Sequence, residues 1–155
     1  MFARLIASAC VMSALAVPAL AQTIKAERFR AFLIWEESGE LSKNVIADTP
    51  RIEANTQKGM SSQIMVDIVV SGPKNTQTKG QYILYTWANV LGEPAGTPSI
   101  LDKGFPVTYI GAKGETTRTV IIEHDCRPFV LSARVDRGNT TGRVLEKRFQ
   151  IFCGD

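Results

Sequence analysis

The sequence predicts an all-β protein, an antiparallel β-sandwich of about seven to eight strands. Apolar and polar residues alternate in short segments, as expected for strands that bury one face. Gly, Pro, Asn and Asp cluster between these segments, where tight turns require them. No segment has the 3.6-residue periodicity of a long amphipathic helix. The predicted strands are residues 28–35, 63–72, 81–91, 105–110, 118–123, 129–135 and 144–153.

The connections between the strands follow from their turn residues. Residues 71–80, 92–104, 111–115 and 137–142 are rich in Gly, Pro, Asn and Thr and are predicted loops. Residues 37–62 are harder to interpret, because a structureless segment of that length is unusual in a compact domain. Within that segment we expect one short strand at 44–47 and a turn at 48–50.

Residues 1–21 have the features of a secretory signal peptide. Arg4 precedes an uncharged run that ends in Ala19-Leu20-Ala21, the small-x-small pattern of a cleavage site between Ala21 and Gln22. A membrane anchor would need about 20 apolar residues, and a lipoprotein site at Cys10 would leave only a short apolar run before it. We therefore expect a single mature domain, residues 22–155, that has no membrane span and is periplasmic or secreted.

Cleavage would change the cysteine count from three to two. Cys10 would leave with the signal peptide, so that Cys126 and Cys153 remain to form a disulfide in an oxidising compartment. The bond would close a loop worth about 3.5 kcal/mol in the chain-entropy model. The alternative is free thiols that act as a catalyst or bind a metal, but the spacing matches no metal motif.

The disulfide constrains how the last two strands pair. If Asp136 faces Arg143 in a simple hairpin, Cys126 lies opposite Cys153, but apolar residues then face charged ones. A shift of one residue pairs Phe129 with Ile151 and turns the cysteines to different faces. A bulge at 127–128, or a turn at 124–128 tied to the final strand, would resolve the conflict. We favour a bond at one end of the domain.

The charge of the mature chain is nearly balanced. Loss of Arg4 leaves 17 basic and 15 acidic side chains. The small excess does not indicate a nucleic-acid or anionic-membrane partner.

Two clusters could carry chemistry. Glu123-His124-Asp125 contains the only histidine, but adjacent strand residues point to opposite faces, and a solvated turn explains the same residues. Glu36, Glu37 and Glu40 follow the first strand and could bind calcium or act as catalytic acids, although no Asp-x-Asp spacing is present. We predict no catalytic residue, metal site or cofactor.

Aromatic residues suggest a binding surface instead. Tyr85, Trp87 and Asn89 share one strand face, and the polar Asn89 suggests that this face reaches solvent. Aromatic residues at such positions also serve as core or cross-strand packing. The candidate binding surface is Trp35, Glu36, Glu37, Tyr85, Trp87 and Asn89.

The order of glycines and strands resembles that of known periplasmic proteins. A cleaved signal before disulfide-tied β-structure looks like bacterial periplasmic immunoglobulin-like modules, which implies an immunoglobulin-like sandwich. The order Gly80-x-Tyr82-x-Leu84, Gly104-Phe105, then a Gly-Glu turn and two strands resembles small periplasmic factors that restrain curli subunits.

We therefore expect an exported, non-enzymatic binding or accessory protein of the bacterial cell envelope. Its partner would be another envelope or extracellular protein, or a surface polymer, recognised through sheet edges and loops. The alternative is a small hydrolase or carbohydrate-active enzyme that uses the acidic residues at 36–40 with Asp67 or Asp125.

Overall fold

The computed structural model describes residues 23–46 and 51–154, and this part of the chain contains eleven β-strands and no helix. The protein is therefore all-β, as predicted. The strands are β1 (Lys25–Ile34), β2 (Ile52–Glu53), β3 (Asn55–Thr56), β4 (Gly59–Met60), β5 (Gln63–Ser71), β6 (Thr76–Val90), β7 (Leu101–Ile110), β8 (Glu115–Glu123), β9 (Phe129–Arg137), β10 (Leu145–Phe149) and β11 (Ile151–Phe152).

The predicted signal peptide, residues 1–21, and the cleavage site between Ala21 and Gln22 lie outside the described residues. The predicted turn at 48–50 lies outside them as well. In the ranges 23–46 and 51–154, no helix is long and apolar enough to cross a membrane.

Seven strands form two larger antiparallel sheets. One sheet has the order β1-β5-β8 and the other the order β10-β9-β6-β7, and the four remaining two-residue strands form the small pairs β11-β2 and β3-β4. β6 is the longest strand, with 15 residues, and its Tyr, Ile and Trp side chains favour a half-buried pleated surface. β6 begins at Thr76 and β7 at Leu101, so the predicted loops at 71–80 and 92–104 are shorter than expected.

The two larger sheets enclose one hydrophobic core. Val66 and Ile68 from β5 lie with Leu84 from β6 and Leu131 from β9 in a single buried cluster, and all four are fully buried. Burial of side chains of this size stabilises the fold by about 1.5–3 kcal/mol each. The core therefore holds the sheets together with their inner faces towards each other.

Residues 41–46 differ from the prediction. No strand forms at 44–46; instead the segment runs along the free edge of β1 and uses polar side chains as acceptors. Ser42 Oγ accepts a hydrogen bond from the Leu33 amide at 2.8 Å, and Asn44 Oδ1 accepts one from the Ala31 amide at 3.0 Å. These side chains occupy amides that a further strand would otherwise pair with, which is why the edge of β1 is closed by an irregular segment.

The C-terminal strands pair in a register that neither sequence interpretation gave. Phe149 lies opposite Phe129, β10 ends there, and Gln150 separates it from β11. β11 then leaves the hairpin and pairs in parallel with β2, so the predicted strand 144–153 is divided into two.

The disulfide lies at one end of the molecule, as expected. Cys126 belongs to the turn between β8 and β9, where Asp125 and Cys126 both have positive φ angles, 43° and 57°. Cys153 follows β11, and the two cysteines are at disulfide distance with Cα atoms 5.6 Å apart. Of the two geometric solutions, the turn tied to the final strand is the one that the structure contains.

Candidate functional site

The outer face of β6 carries a row of large side chains, which we call the aromatic column: Ile83, Tyr85 and Trp87. Leu84 and Thr86 alternate with them and are fully buried, so the column points away from the core. Ile83 is 37% exposed and Tyr85 36%, while Trp87 is half-buried. The sheet therefore presents apolar and aromatic surface to solvent on its outer side.

The neighbouring strand β7 leaves one side of the column uncovered. Gly104 lies opposite Tyr85, and Pro106 lies opposite Ile83. The Tyr85 ring rests over Gly104, since a Cβ atom there would lie 3.4 Å from Tyr85 Cε1. Because glycine has no side chain and proline has a compact one, no long side chain of β7 rises beside the column on this side.

A cation borders the other side of the column. Arg134 on β9 lies opposite Tyr85, and its guanidinium carbon is 5.7 Å from the Tyr85 ring centroid and 5.5 Å from that of Trp87. Both distances are within the range of cation–π attraction. Arg134 Nε also donates to Asp136 Oδ2 at 3.1 Å, which fixes the guanidinium beside the rings.

The four-stranded sheet as a whole is basic. Its strands carry six basic and three acidic residues, and within the described residues the Arg134–Asp136 pair is its one ion pair. The basic residues are Lys79, Lys103, Arg134, Arg137, Lys147 and Arg148, and the acidic ones are Asp102, Asp136 and Glu146. Arg137 additionally lies 5.4 Å from the Tyr82 ring centroid.

On the outer face of the three-stranded sheet, charges of opposite sign form ion pairs. Arg28 donates to both carboxylate oxygens of Glu115 at 2.8 Å, across β5. The hydrogen bond from Arg28 lowers the pKa of Glu115 below its usual range, and the pair raises the pKa of Arg28. One large apolar side chain, Ile121, is 55% exposed on this sheet.

The structure separates the six residues of the predicted binding surface. Tyr85, Trp87 and Asn89 do share the outer face of β6. Trp35, however, is only 5% exposed and packs in the core, so it is not a surface residue. Trp35 follows β1 directly and continues the series of alternate buried positions to which Phe29 and Leu33 belong. Glu36 and Glu37 are exposed in the turn after β1.

Three residues of the site were not predicted. Ile83 has a sequence signal, since it lies two residues before Tyr85 on the same strand face. Arg134 and Gly104 come from strands that are distant in sequence, and only the pairing of β6 with β9 and β7 brings them to the column.

The acidic residues considered for catalysis are dispersed. Asp67 lies on β5, where Arg30 Nη2 is 3.0 Å away and Thr119 donates to its other oxygen at 2.6 Å. Asp125 is exposed in the turn after β8, and the acidic residues at 36–40 are exposed in the turn after β1. The Asp67 carboxylate is therefore committed to neighbouring strands.

The Glu123-His124-Asp125 triplet does not converge. His124 is 1% exposed, whereas Glu123 and Asp125 are exposed. His124 Nδ1 accepts a hydrogen bond from the Cys126 amide at 3.1 Å. Burial lowers the pKa of His124, and the nearby carboxylates of Asp125 and Glu36 oppose that shift. The imidazole is therefore favoured in its neutral form.

Comparison with known proteins gives no family. No protein-family model matches this chain, and no curated protein matches its sequence significantly.

Proposed function

We propose that this protein is an exported, non-enzymatic binding protein that holds an extended segment of another envelope or extracellular protein against its aromatic column. In this proposal the fold is an immunoglobulin-like sandwich. The strand order supports it, because β1 and β8 flank β5 in one sheet while β9 and β6 are central in the other. The disulfide supports a periplasmic or secreted location, because such bonds persist in oxidising compartments.

The observation that carries the proposal is the aromatic column with Arg134 beside it. Tyr, Trp and Arg are the residues that most often dominate binding energy at protein interfaces. Here Arg134 lies within cation–π range of both Tyr85 and Trp87 on the solvent-facing side of the sheet.

The geometry favours an extended polypeptide as the partner. Ile83, Tyr85 and Trp87 repeat every second residue, about 7 Å apart, which is the spacing of alternate side chains in an extended chain. The side at Gly104 and Pro106 leaves room for a backbone to lie along the column. The outer face carries both signs of charge, with Arg134 and Arg148 beside Asp102, Asp136 and Glu146, so a segment with side chains of both signs can be accommodated.

Recognition through a sheet edge is less well supported. The edge of β1 is occupied by Ser42 and Asn44, and Pro106 removes one amide from the edge strand β7. Both features protect an edge from pairing with a further strand. The proposal therefore uses the face of the four-stranded sheet.

The test is capture of the partner from the native envelope by the tagged mature protein, after cross-linking. The wild type should recover one stoichiometric protein. The Tyr85→Ala/Trp87→Ala variant should lose at least about tenfold of the captured amount, since hot-spot residues contribute 2 kcal/mol or more. Ile121→Ala, which removes an exposed side chain from the other sheet, should capture normally.

Unchanged capture by the double variant would contradict the proposed face. Binding to surface glycans without any captured protein would contradict a protein partner and favour a polymer.

A further inference from the structure

His124, Cys126 and Cys153 converge at the end of the molecule that carries the disulfide. One potential ligand atom from each residue, an imidazole nitrogen or a sulfur, lies within 4.8 Å of the other two. In a tetrahedral zinc site with bonds of about 2.0–2.3 Å, ligand atoms are about 3.3–3.8 Å apart. Three potential ligand atoms of suitable type therefore lie close together. In the oxidised protein, two of them, the sulfur atoms, are bonded to each other and cannot bind a metal ion as thiolates.

The disulfide is accessible to small molecules. Both cysteines are half-buried, and both line an open cleft of about 480 Å³ together with Arg51 and Phe152. A dithiol can therefore approach the sulfur atoms from solvent, and so can an aquated metal ion.

The histidine is already oriented for coordination. His124 Nδ1 accepts the Cys126 amide proton, so its lone pair points towards Cys126 and the ring proton is on Nε2. Nε2 is buried and has no hydrogen-bond partner among the described residues. A metal ion bound at Nδ1 would keep this tautomer and would replace the hydrogen bond from the Cys126 amide.

We propose that reduction of the disulfide converts this cluster into a zinc site. A dithiol donates two electrons: the Cys126–Cys153 bond breaks, each cysteine becomes a thiol, and the dithiol becomes a cyclic disulfide. Zn²⁺ then binds both sulfurs and His124 Nδ1, the two thiols release two protons, and water fills the fourth position.

The surrounding charges suit such a site. Two thiolates neutralise the charge of Zn²⁺, and the carboxylates of Asp125 and Glu36 add negative potential near the imidazole. Among the cations at this end, Arg51 Nε lies 2.6 Å from Glu53, and Arg127 lies 3.1 Å from Glu93 and 3.5 Å from Asp125, so Arg127 offsets part of the charge of Asp125.

The experiment compares the oxidised and reduced forms of the mature protein. The disulfide is reduced under argon, the reductant is removed, and Co²⁺ is added as a spectroscopic substitute for Zn²⁺. We expect the reduced protein to bind one equivalent, with the sulfur-to-metal charge-transfer absorption of thiolate ligands and the intense visible bands of a tetrahedral ion. Zn²⁺ should displace the Co²⁺, and the oxidised protein should show neither band.

Variants distinguish a zinc site that includes the His124 imidazole from binding by the two thiolates alone. His124→Asn keeps an acceptor for the Cys126 amide but lacks the imidazole, and should weaken Zn²⁺ binding by more than the 10- to 100-fold typical of losing an outer-shell partner. Glu36→Gln should bind within a few-fold of the wild type.

Equal affinity of His124→Asn and wild type would overturn the proposal, as would Co²⁺ binding without the thiolate absorption. Circular dichroism follows the fold of the reduced chain in parallel. A reduced chain that loses its β-sheet signal and does not regain it with Zn²⁺ would also overturn the proposal.

Discussion

Phe129 and Phe149 stack across β9 and β10, with ring centroids 4.7 Å apart and ring planes 10° from parallel. They are direct partners in the strand register, and both are fully buried. The stacked pair therefore helps to align β10 with β9, in addition to filling the core.

Removal of one ring should be costly. We expect Phe149→Ala to lower the free energy of unfolding by about 3–5 kcal/mol, because it deletes a buried ring and leaves a cavity. Urea denaturation followed by tryptophan fluorescence measures the change. Phe152→Ala is the matched control, since Phe152 is 37% exposed three residues further along, and should cost much less. Equal losses for the two variants would show that the stack is not a core contact.

The disulfide should stabilise the fold mainly by restricting the unfolded chain. It spans 27 residues, so Cys126→Ala/Cys153→Ala should lower the free energy of unfolding by about 3.5 kcal/mol. Urea titrations of the wild type with and without reductant, in chelator-treated buffer, measure the same quantity. The reduced wild type should coincide with the double variant. A loss below about 1 kcal/mol would mean that strain in the native turn offsets the entropic gain.

The strands were predictable because their signal is local. Alternation of Ile64, Val66 and Ile68 specifies both a strand and its buried face, whatever its neighbours are. The pairing of β10 was not predictable on that basis. One of the two registers considered from the sequence pairs Phe129 with Ile151, whereas the structure pairs it with Phe149, a difference of two residues that leaves every side chain on the same face. Hydrophobic patterning cannot distinguish such registers.

The residues of the candidate site also differ in whether a local sequence pattern or the pairing of distant strands determines their position. Tyr85 and Trp87 were predicted because they alternate on one strand, whereas Arg134 depends on how β9 aligns with β6. Trp35 was included in the predicted binding surface. Its position in the alternation of β1 indicated the core, and the structure confirms that indication.

Gly142 should not tolerate a side chain. A Cβ atom there would collide with the backbone carbonyl oxygen of Val135, which belongs to β9 and cannot move freely. We expect Gly142→Ala to lower the free energy of unfolding by about 1–3 kcal/mol, the usual cost of overpacking. Gly104→Ala is the control, because its Cβ would make ordinary contacts with Tyr85 and Ile83. Thermal unfolding should show a lower Tm for Gly142→Ala than for Gly104→Ala, and the reverse order would contradict the collision.

Stability should fall in mildly acidic solution because of His124. Burial lowers its pKa below the ordinary value of 6.5 in the folded state, so as the pH falls through 6.5 the unfolded chain takes up a proton before the folded chain does. Above that pH both states are neutral and His124 contributes no pH dependence; below it, the free energy of unfolding decreases by up to about 1.4 kcal/mol per pH unit until the folded-state pKa is reached. Carboxylates titrate at lower pH in both proteins, so the measurement is the difference between wild type and His124→Asn, which keeps an acceptor for the Cys126 amide. The wild type should lose stability relative to this variant as the pH falls below 6.5. Parallel curves over that window would show that the folded protein protonates His124 as readily as the unfolded chain does.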